Sequence, residues 1–154
     1  MTPRAPELEF VCQLRVTIGE ATETGLTPAG RTRVIPITGG SCTGPRLLGT
    51  VLPGGADWQL VRPDGTTLLN AQYALETAEG ARVEIHNQGV RFDPQGALAR
   101  MQAGEVVDPS AYYFRTTPRF HTAATQYQWL MQSVFVADAE RYVDCVMVRV
   151  WRVL

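Results

Sequence analysis

The most suggestive chemical feature of the sequence is an aspartate beside a tryptophan, directly after two glycines: Gly54-Gly55-Ala56-Asp57-Trp58. Glycine adopts backbone conformations closed to other residues, so the chain can turn here and aim Asp57 into a cavity. A carboxylate held against an apolar wall has a raised pKa and suits acid–base chemistry. A turn carboxylate bonded to backbone N–H groups has a lowered pKa. The sequence leaves Asp57 as either a general base, with Trp58 as wall or stacking surface, or a turn residue.

Two tyrosines and a histidine are the candidate acid partners of Asp57. Tyr73 and Tyr113 could donate hydrogen bonds to a substrate carbonyl or enolate oxygen as negative charge develops there. His121 would be the natural proton shuttle. Each has a structural alternative, since phenols also serve ordinary cores and His121 can be a solvated loop residue.

The candidate substrate-binding residues are aromatic, amide and guanidinium side chains. The predicted inward faces carry Trp58, Tyr73, Asn87, Tyr113, Tyr127 and Trp129. Aromatic side chains with polar tips line many ligand pockets, although they are also common in packed interiors. Arg115 could pair with a ligand carboxylate, with an internal salt bridge as the alternative. Asn87 could donate its amide or belong to a strand-end turn.

Composition and motifs exclude several classes of chemistry. The formal net charge of −1 gives no electrostatic reason to expect nucleic acid or acidic lipid as a partner. All 14 basic residues are arginine, which excludes a lysine Schiff base. Three widely spaced cysteines and two histidines do not form a metal-binding pattern. Neither a phosphate-binding glycine loop nor a nucleophilic serine motif is present. We therefore predict no metal and no cofactor.

The elements that must position these residues are strands. The predicted strands cover residues 10–18, 31–38, 47–52, 58–62, 66–77, 81–92, 112–115, 126–136 and 141–153. Residues 19–30 are predicted to be a loop, and residues 97–103 a short helical insert. Roughly eight to ten short strands with frequent turns are typical of an antiparallel barrel or sandwich.

The whole chain, residues 1–154, is predicted to be one domain, since its length and 45% hydrophobic content suit a single sizeable core. The first residues contain no apolar leader, and no run approaches the length of a membrane span. We therefore expect a cytoplasmic protein without a membrane partner. Strand edges and the apolar C-terminal strand would also permit a homodimer.

Several sequence blocks, in order, resemble the domain of unknown function (DUF) 3237 family. The blocks are residues 37–40 (ITGG), 49–58 (GTVLPGGADW), 73–77 (YALET), 87–90 (NQGV), 113–120 (YFRTTPRF) and 127–130 (YQWL). The resemblance implies a closed, lipocalin-like antiparallel β-barrel with a ligand-sized mouth. It also implies kinship with cofactor-free cyclases of microbial natural-product pathways, which add an internal hydroxyl across an activated double bond. The sequence departs from the family pattern at Gln72, His121 and Met131, so a relative's substrate is a poor guide.

Two functions are consistent with these observations. The first is a cofactor-independent acid–base enzyme that cyclises, isomerises or hydrates a small conjugated, aromatic or polyketide-like substrate, with Asp57 as base and Tyr73 or His121 as its partner. The second is a non-catalytic carrier or sensor of a similar small hydrophobic ligand. The environment of Asp57 discriminates between them.

Overall fold

Ten antiparallel strands form the protein, and the computed structural model describes all residues from 1 to 154. The strands are β1 (Leu8–Ile18), β2 (Thr22–Thr27), β3 (Gly30–Thr43), β4 (Gly49–Val51), β5 (Gly55–Val61), β6 (Thr66–Thr77), β7 (Arg82–Phe92), β8 (Tyr113–His121), β9 (Phe135–Arg141) and β10 (Cys145–Val153). One helix, α1 (Ala97–Gln102), and two 3-10 helices, Pro109–Ala111 and Thr125–Met131, connect them. No helix has the length and apolar content needed to cross a membrane.

Eight of these strands close into a barrel. Their order is β1-β10-β9-β8-β7-β6-β5-β3, and pairing of β3 with β1 completes the ring. The two additional strands lie beside this ring: β2 pairs with β3, and β4 lies between β3 and β6. The prediction of an all-β, closed antiparallel barrel with one short helix near residues 97–103 is confirmed.

Side chains alternate between the barrel interior and its outer surface along each strand. On β8, Phe114, Thr116 and Phe120 are buried, whereas Tyr113 and the other intervening residues are exposed. The same alternation on β5 buries Asp57. Strand position therefore decides which polar residues can meet inside the barrel.

Apolar side chains fill one end of the barrel. The 3-10 helix Thr125–Met131 contributes the buried Tyr127 and Leu130 to this core. In the same core the rings of Phe120 and Phe135 meet edge to face, with centroids 5.0 Å apart. Such aromatic pairs add about 0.5–1.5 kcal/mol to the gain from burial. Packing at this end leaves interior space only toward the other end.

Three sequence-based assignments are wrong. The predicted loop at 19–30 contains β2, whose residues are all exposed, so burial gives the strand no alternating pattern. The predicted strand at 126–136 is largely a 3-10 helix, because its buried residues Tyr127 and Leu130 are three positions apart, which is one turn of that helix. The last predicted strand begins only at Cys145, after the turn that follows β9.

Barrel closure depends on a glycine where β1 meets β3. Gly40 has φ of 136°, and a Cβ at this position would overlap the carbonyl oxygen of Arg15. We expect Gly40→Ala to lower the free energy of unfolding by more than about 3 kcal/mol, because the clash adds to backbone strain. Urea denaturation measures this loss. The matched control is Gly25→Ala, at φ of 124° with open space around it, which should cost only about 1 kcal/mol. Equal losses for the two variants would contradict the argument from closure.

Candidate active site

A cavity opens inside the barrel at the end opposite the aromatic core. It is lined by 16 residues, of which 10 are hydrophobic. The six polar residues among them are Asp57, Gln59, Asn87, Arg91, Thr116 and Arg141. A mostly apolar cavity with a few convergent polar groups is the usual form of a small-molecule site.

Strand periodicity brings the polar residues together. Asp57 and Gln59 are two positions apart on β5, and Asn87 and Arg91 are four positions apart on β7. Both spacings place the two side chains on the same face of a strand. Gly89, between Asn87 and Arg91, adds no side chain, and β8 approaches so closely that a Cβ there would overlap the carbonyl oxygen of Arg115.

Asp57 is buried in this cavity and accepts two hydrogen bonds. The backbone N–H of Asn70 donates to Oδ1 at 2.9 Å, and Nε2 of Gln59 donates to Oδ2 at 2.6 Å. The pairing of β5 with β6 skips Trp58 and Gln59, and the Asn70 bond to the carboxylate lies at this gap. Each carboxylate oxygen has two lone pairs, so both oxygens can still accept a substrate proton.

Arg33 fixes the orientation of the Gln59 amide by binding its oxygen. Nε of Arg33 donates to Oε1 of Gln59 at 2.8 Å, which leaves the amide N–H groups facing Asp57. A charged donor fixes the amide oxygen more firmly than a neutral one. Arg33, Gln59 and Asp57 therefore form a chain that holds the carboxylate in one position.

Burial raises the pKa of Asp57 above the ordinary value of an aspartate. Desolvation is the largest cause, and it outweighs the two hydrogen bonds and the attraction of Arg91 and Arg33, all of which lower the pKa. Asp57 is thus not a turn carboxylate with a lowered pKa, although it does accept one backbone hydrogen bond. Its raised pKa makes it a stronger base than an exposed aspartate.

Three buried polar atoms around the cavity make no hydrogen bond within the protein. They are Oη of Tyr73, Oδ1 of Asn87 and Oγ1 of Thr116. Buried polar groups in native proteins are nearly always paired, so three unpaired atoms on one cavity indicate a place built to receive polar atoms of a ligand. Burial also raises the pKa of Tyr73, so its phenol keeps its proton.

Among the predicted site residues, Asp57, Tyr73 and Asn87 meet in the cavity. The inward orientation predicted for Trp58 and Tyr113 is wrong, because they are 47% and 53% exposed on the outer face. Each is adjacent in sequence to an inward residue, Asp57 or Phe114, and successive strand residues face opposite sides.

Arg115 and His121 also lie outside the cavity, for the same reason. Arg115 stands between the inward Phe114 and Thr116, donates to the carbonyl of Phe114 and lies over the ring of Tyr113. It forms no salt bridge, so the internal ion pair considered for it is absent. His121 is exposed at the end of β8 and lines an outer groove.

Tyr127 and Trp129 occupy the 3-10 helix rather than a strand lining the cavity. The hydroxyl of Tyr127 donates to Glu79 at 2.8 Å. Trp129 packs against Phe135 and lies between Arg46 and Arg152. Both contacts belong to the packed end of the barrel and not to the cavity.

Sequence reasoning missed Gln59, Arg91 and Thr116, which all line the cavity. Alternation along the strands could have identified Gln59 and Arg91, because residues at even spacings on a strand face the same side. Gln59 is two residues after Asp57, and Arg91 is four residues after Asn87. No group of three or more His, Cys, Asp or Glu side chains that could hold a metal ion occurs in the structure.

The unpaired hydroxyl of Tyr73 makes a testable contribution to stability. We expect Tyr73→Phe to leave the free energy of unfolding of the ligand-free protein unchanged or to raise it by about 1 kcal/mol, because it removes a buried group without a partner. The matched control, Tyr127→Phe, removes the donor to Glu79 and should lower that free energy by about 1 kcal/mol. Urea denaturation compares the two. A loss for Tyr73→Phe as large as that for Tyr127→Phe would show that its hydroxyl is paired.

Comparisons with known proteins agree with the barrel fold. A UPF0311 protein of Rhodopseudomonas palustris is 45% identical over 154 residues and covers all of both chains. A crystal structure of a conserved R. palustris protein superposes with a TM-score of 0.92 at 45% identity, covering 99% of this chain and 100% of that one. A beta-barrel like protein of Acinetobacter baumannii superposes with a TM-score of 0.87 at 35% identity, covering 99% of each chain.

The chain also has more distant similarity to fungal proteins. The hydroalkoxylation enzyme phnH of Penicillium herquei is 33% identical over 83 residues, which is 54% of this chain and 55% of that one. PR-toxin biosynthesis cluster protein 7 of Penicillium roqueforti is 26% identical over 147 residues, covering 81% of this chain and 77% of that one. An enzyme from P. herquei shares the fold, with a TM-score of 0.76 at 22% identity over 100% of this chain and 98% of that one.

The family model described as protein of unknown function (DUF3237) matches residues 6–153. This match covers almost the whole barrel, including every strand that contributes a residue to the cavity. Together with the R. palustris relative, it shows that the chain belongs to the DUF3237 family.

Proposed function

We propose that the protein is a cofactor-independent acid–base enzyme that rearranges a small conjugated substrate inside the barrel. The observation that carries this proposal is the buried carboxylate of Asp57, which lines an apolar cavity together with the unpaired hydroxyl of Tyr73. A base with a raised pKa and a fixed hydrogen-bond donor are the two groups that proton-transfer chemistry at a conjugated carbonyl requires.

Intramolecular addition of a hydroxyl to an enone illustrates the chemistry. Asp57 takes the hydroxyl proton while the oxygen forms a bond to the β-carbon of the double bond. The electron pair of that double bond moves to the carbonyl oxygen, and the enolate accepts a hydrogen bond from Tyr73. Protonated Asp57 then returns the proton to the α-carbon, so substrate and product are isomers. Isomerisation or hydration would use the same two groups.

Tyr73 acts in this scheme as a hydrogen-bond donor and not as an acid. Burial raises the pKa of its phenol, so complete proton transfer to an enolate is unfavourable. A donor already fixed in a buried site stabilises developing charge without reorganisation. Thr116 and Asn87, whose side-chain oxygens are also unpaired, can hold the substrate's other polar atoms.

The fungal comparisons support this class of reaction. Hydroalkoxylation, the activity named for phnH, is addition of an O–H bond across a carbon–carbon multiple bond. The proposed scheme for this chain moves a proton and an oxygen in the same way. The support extends to the reaction class only, since the matched segment covers about half of each protein.

A carrier of small hydrophobic ligands is the second candidate, and one observation favours it. Asp57 already accepts two hydrogen bonds in the free protein, as a purely structural buried carboxylate would. The two functions differ in turnover. A ligand bound by both the unchanged protein and Asp57→Asn, but converted by neither, would establish the carrier.

Removal of the base tests the enzyme directly. We expect Asp57→Asn to lower turnover of a hydroxyaryl enone such as 2′-hydroxychalcone by about 10²–10⁴-fold, because the amide cannot accept the hydroxyl proton. Loss of enone absorbance measures the rate above the uncatalysed cyclisation. Asp64→Asn is the matched control: Asp64 is an exposed turn carboxylate bonded to the N–H of Thr66, and its loss should leave turnover unchanged.

The raised pKa of Asp57 predicts the pH dependence of the reaction. Asp57 must be ionised to act as base, so kcat/KM should be low in acid and rise through its pKa to a plateau. Because burial raises that pKa, the midpoint of the rise should lie above the ordinary aspartate value of about 3.9. Initial rates across the acidic range give the midpoint. A midpoint at or below the ordinary aspartate value would argue against Asp57 as the base.

A further inference from the structure

Arg91 is a buried cation without a partner. Its residue is only 5% exposed, and it lines the cavity from β7. Its guanidinium makes no hydrogen bond and no salt bridge within the protein, and it lies near the ring of Phe114, whose centroid is 5.6 Å from the guanidinium carbon. By contrast, Arg149 at the surface of the barrel pairs with both Asp138 and Glu140. A charge buried without a partner is costly, and native proteins rarely retain one without a use.

Charged groups of both signs surround Arg91. Burial lowers the pKa of Arg91 to about 10, repulsion from Arg33 and Arg141 contributes to this shift, and attraction to Asp57 and Asp93 opposes it. Neither carboxylate forms a salt bridge with Arg91: Asp57 accepts from Asn70 and Gln59, and Asp93 accepts from the backbone N–H groups of Ala97 and Leu98. The guanidinium of Arg91 is therefore left without a paired carboxylate.

The two other arginines are already engaged with neutral acceptors. Nε of Arg33 donates to Gln59, and the guanidinium of Arg141 donates to the backbone carbonyls of Tyr142 and Val143. Arg91 is thus the one of the three guanidinium groups that donates no hydrogen bond within the protein. A single guanidinium fork matches one carboxylate in charge and in shape.

Strand register separates Arg91 from Asp57 along the barrel. Asp57 pairs with Ala71, and Ala71 pairs with Asn87, so these residues share one row across the sheet. Arg91 lies four residues further along β7, a distance of about 14 Å along the strand. Arg91 therefore lies near the end of β7, whereas Asn87 in the row of Asp57 lies near its middle.

We propose that the cavity binds a carboxylic acid with an apolar conjugated body, whose carboxylate is held by Arg91 while its reactive end reaches Asp57. This inference rests on the proposed function for the role of Asp57 and names the substrate class of that same site. The role of anion partner, considered for Arg115 from the sequence, belongs to Arg91, because Arg115 lies outside the barrel.

Matched acids and amides test the proposal. The probes are benzoate, cinnamate and 3-phenylpropanoate, each compared with its neutral amide by isothermal titration calorimetry on the full chain. We expect at least one acid to bind the unchanged protein about 10–100-fold more tightly than its amide, as a buried charge-assisted bond implies. Absence of any preference for an acid over its amide across the series overturns the proposal.

Four variants assign the preference to a residue. Arg91→Gln should abolish it by weakening the acid alone, and Arg91→Lys should retain part of it, because charge remains without the fork. Arg115→Gln, the matched control on the outer face, should leave it intact. Asp57→Asn should tighten acid binding, since it removes a negative charge from the cavity. Loss of the preference in Arg115→Gln but not in Arg91→Gln contradicts the proposal.

Chloride and inorganic phosphate serve as simple anions. If either competes with the acids as strongly as the acids compete with one another, the site holds small ions only and the proposal fails. A second measurement covers the case in which Arg91→Gln binds nothing. Its ligand-free form should unfold at the same or higher urea concentration than the unchanged protein, whereas a markedly lower midpoint would show that Arg91 already has a partner.

Failure of this inference and failure of the proposed function give different results. If the acid site is correct and the enzyme is not, acids bind through Arg91 while no hydroxyaryl enone is converted. If the enzyme is correct and the acid site is not, neutral enones are converted in an Asp57-dependent way, while the acids bind no more tightly than their amides.

Discussion

Closure of the sheet through the pairing of β1 with β3 is the constraint on which the rest of the structure depends. Once the ring is closed, each strand residue must face either the interior or the surface. Gly40 makes this closure possible because β1 passes where a side chain would otherwise stand. The interior then gathers residues that are distant in sequence, such as Asp57 on β5 and Thr116 on β8, into one cavity.

The two ends of the barrel have different roles: one stabilises the fold by packing, and the other contains the candidate site. One end is packed with aromatic residues such as Phe120 and Phe135, which gain free energy by burial. The other end buries a carboxylate, an unpaired guanidinium and unpaired hydroxyl and amide oxygens, each of which costs free energy in the free protein. Such a cost is typical of sites that compensate it when a ligand binds.

The fold could be predicted from the sequence because alternation and turn residues are local signals, and the ordered family blocks place them in one barrel. The site could be predicted only in part. The sequence predicts Asp57, Tyr73 and Asn87 correctly, but it also predicts inward orientations for Trp58 and Tyr113, each of which stands beside an inward residue and faces outward. The segment that contains Tyr127 is a 3-10 helix, although the sequence predicts a strand there. Its buried residues Tyr127 and Leu130 are three positions apart, a spacing that is hard to distinguish from strand alternation in so short a segment. Arg91 was missed because a lone arginine on a strand resembles any exposed charge until closure of the barrel buries it.

The separation of Asp57 and Arg91 explains why the cavity keeps both charges. If they met, they would neutralise each other, and the pKa of Asp57 would fall well below its usual range, which would weaken it as a base. Arg91 lies four residues along β7 from the row that contains Asp57, and the two form no salt bridge. The attraction of Arg91 is too weak to offset burial, so the pKa of Asp57 stays raised. The proposed base and the proposed anion-binding group therefore share one apolar cavity without neutralising each other.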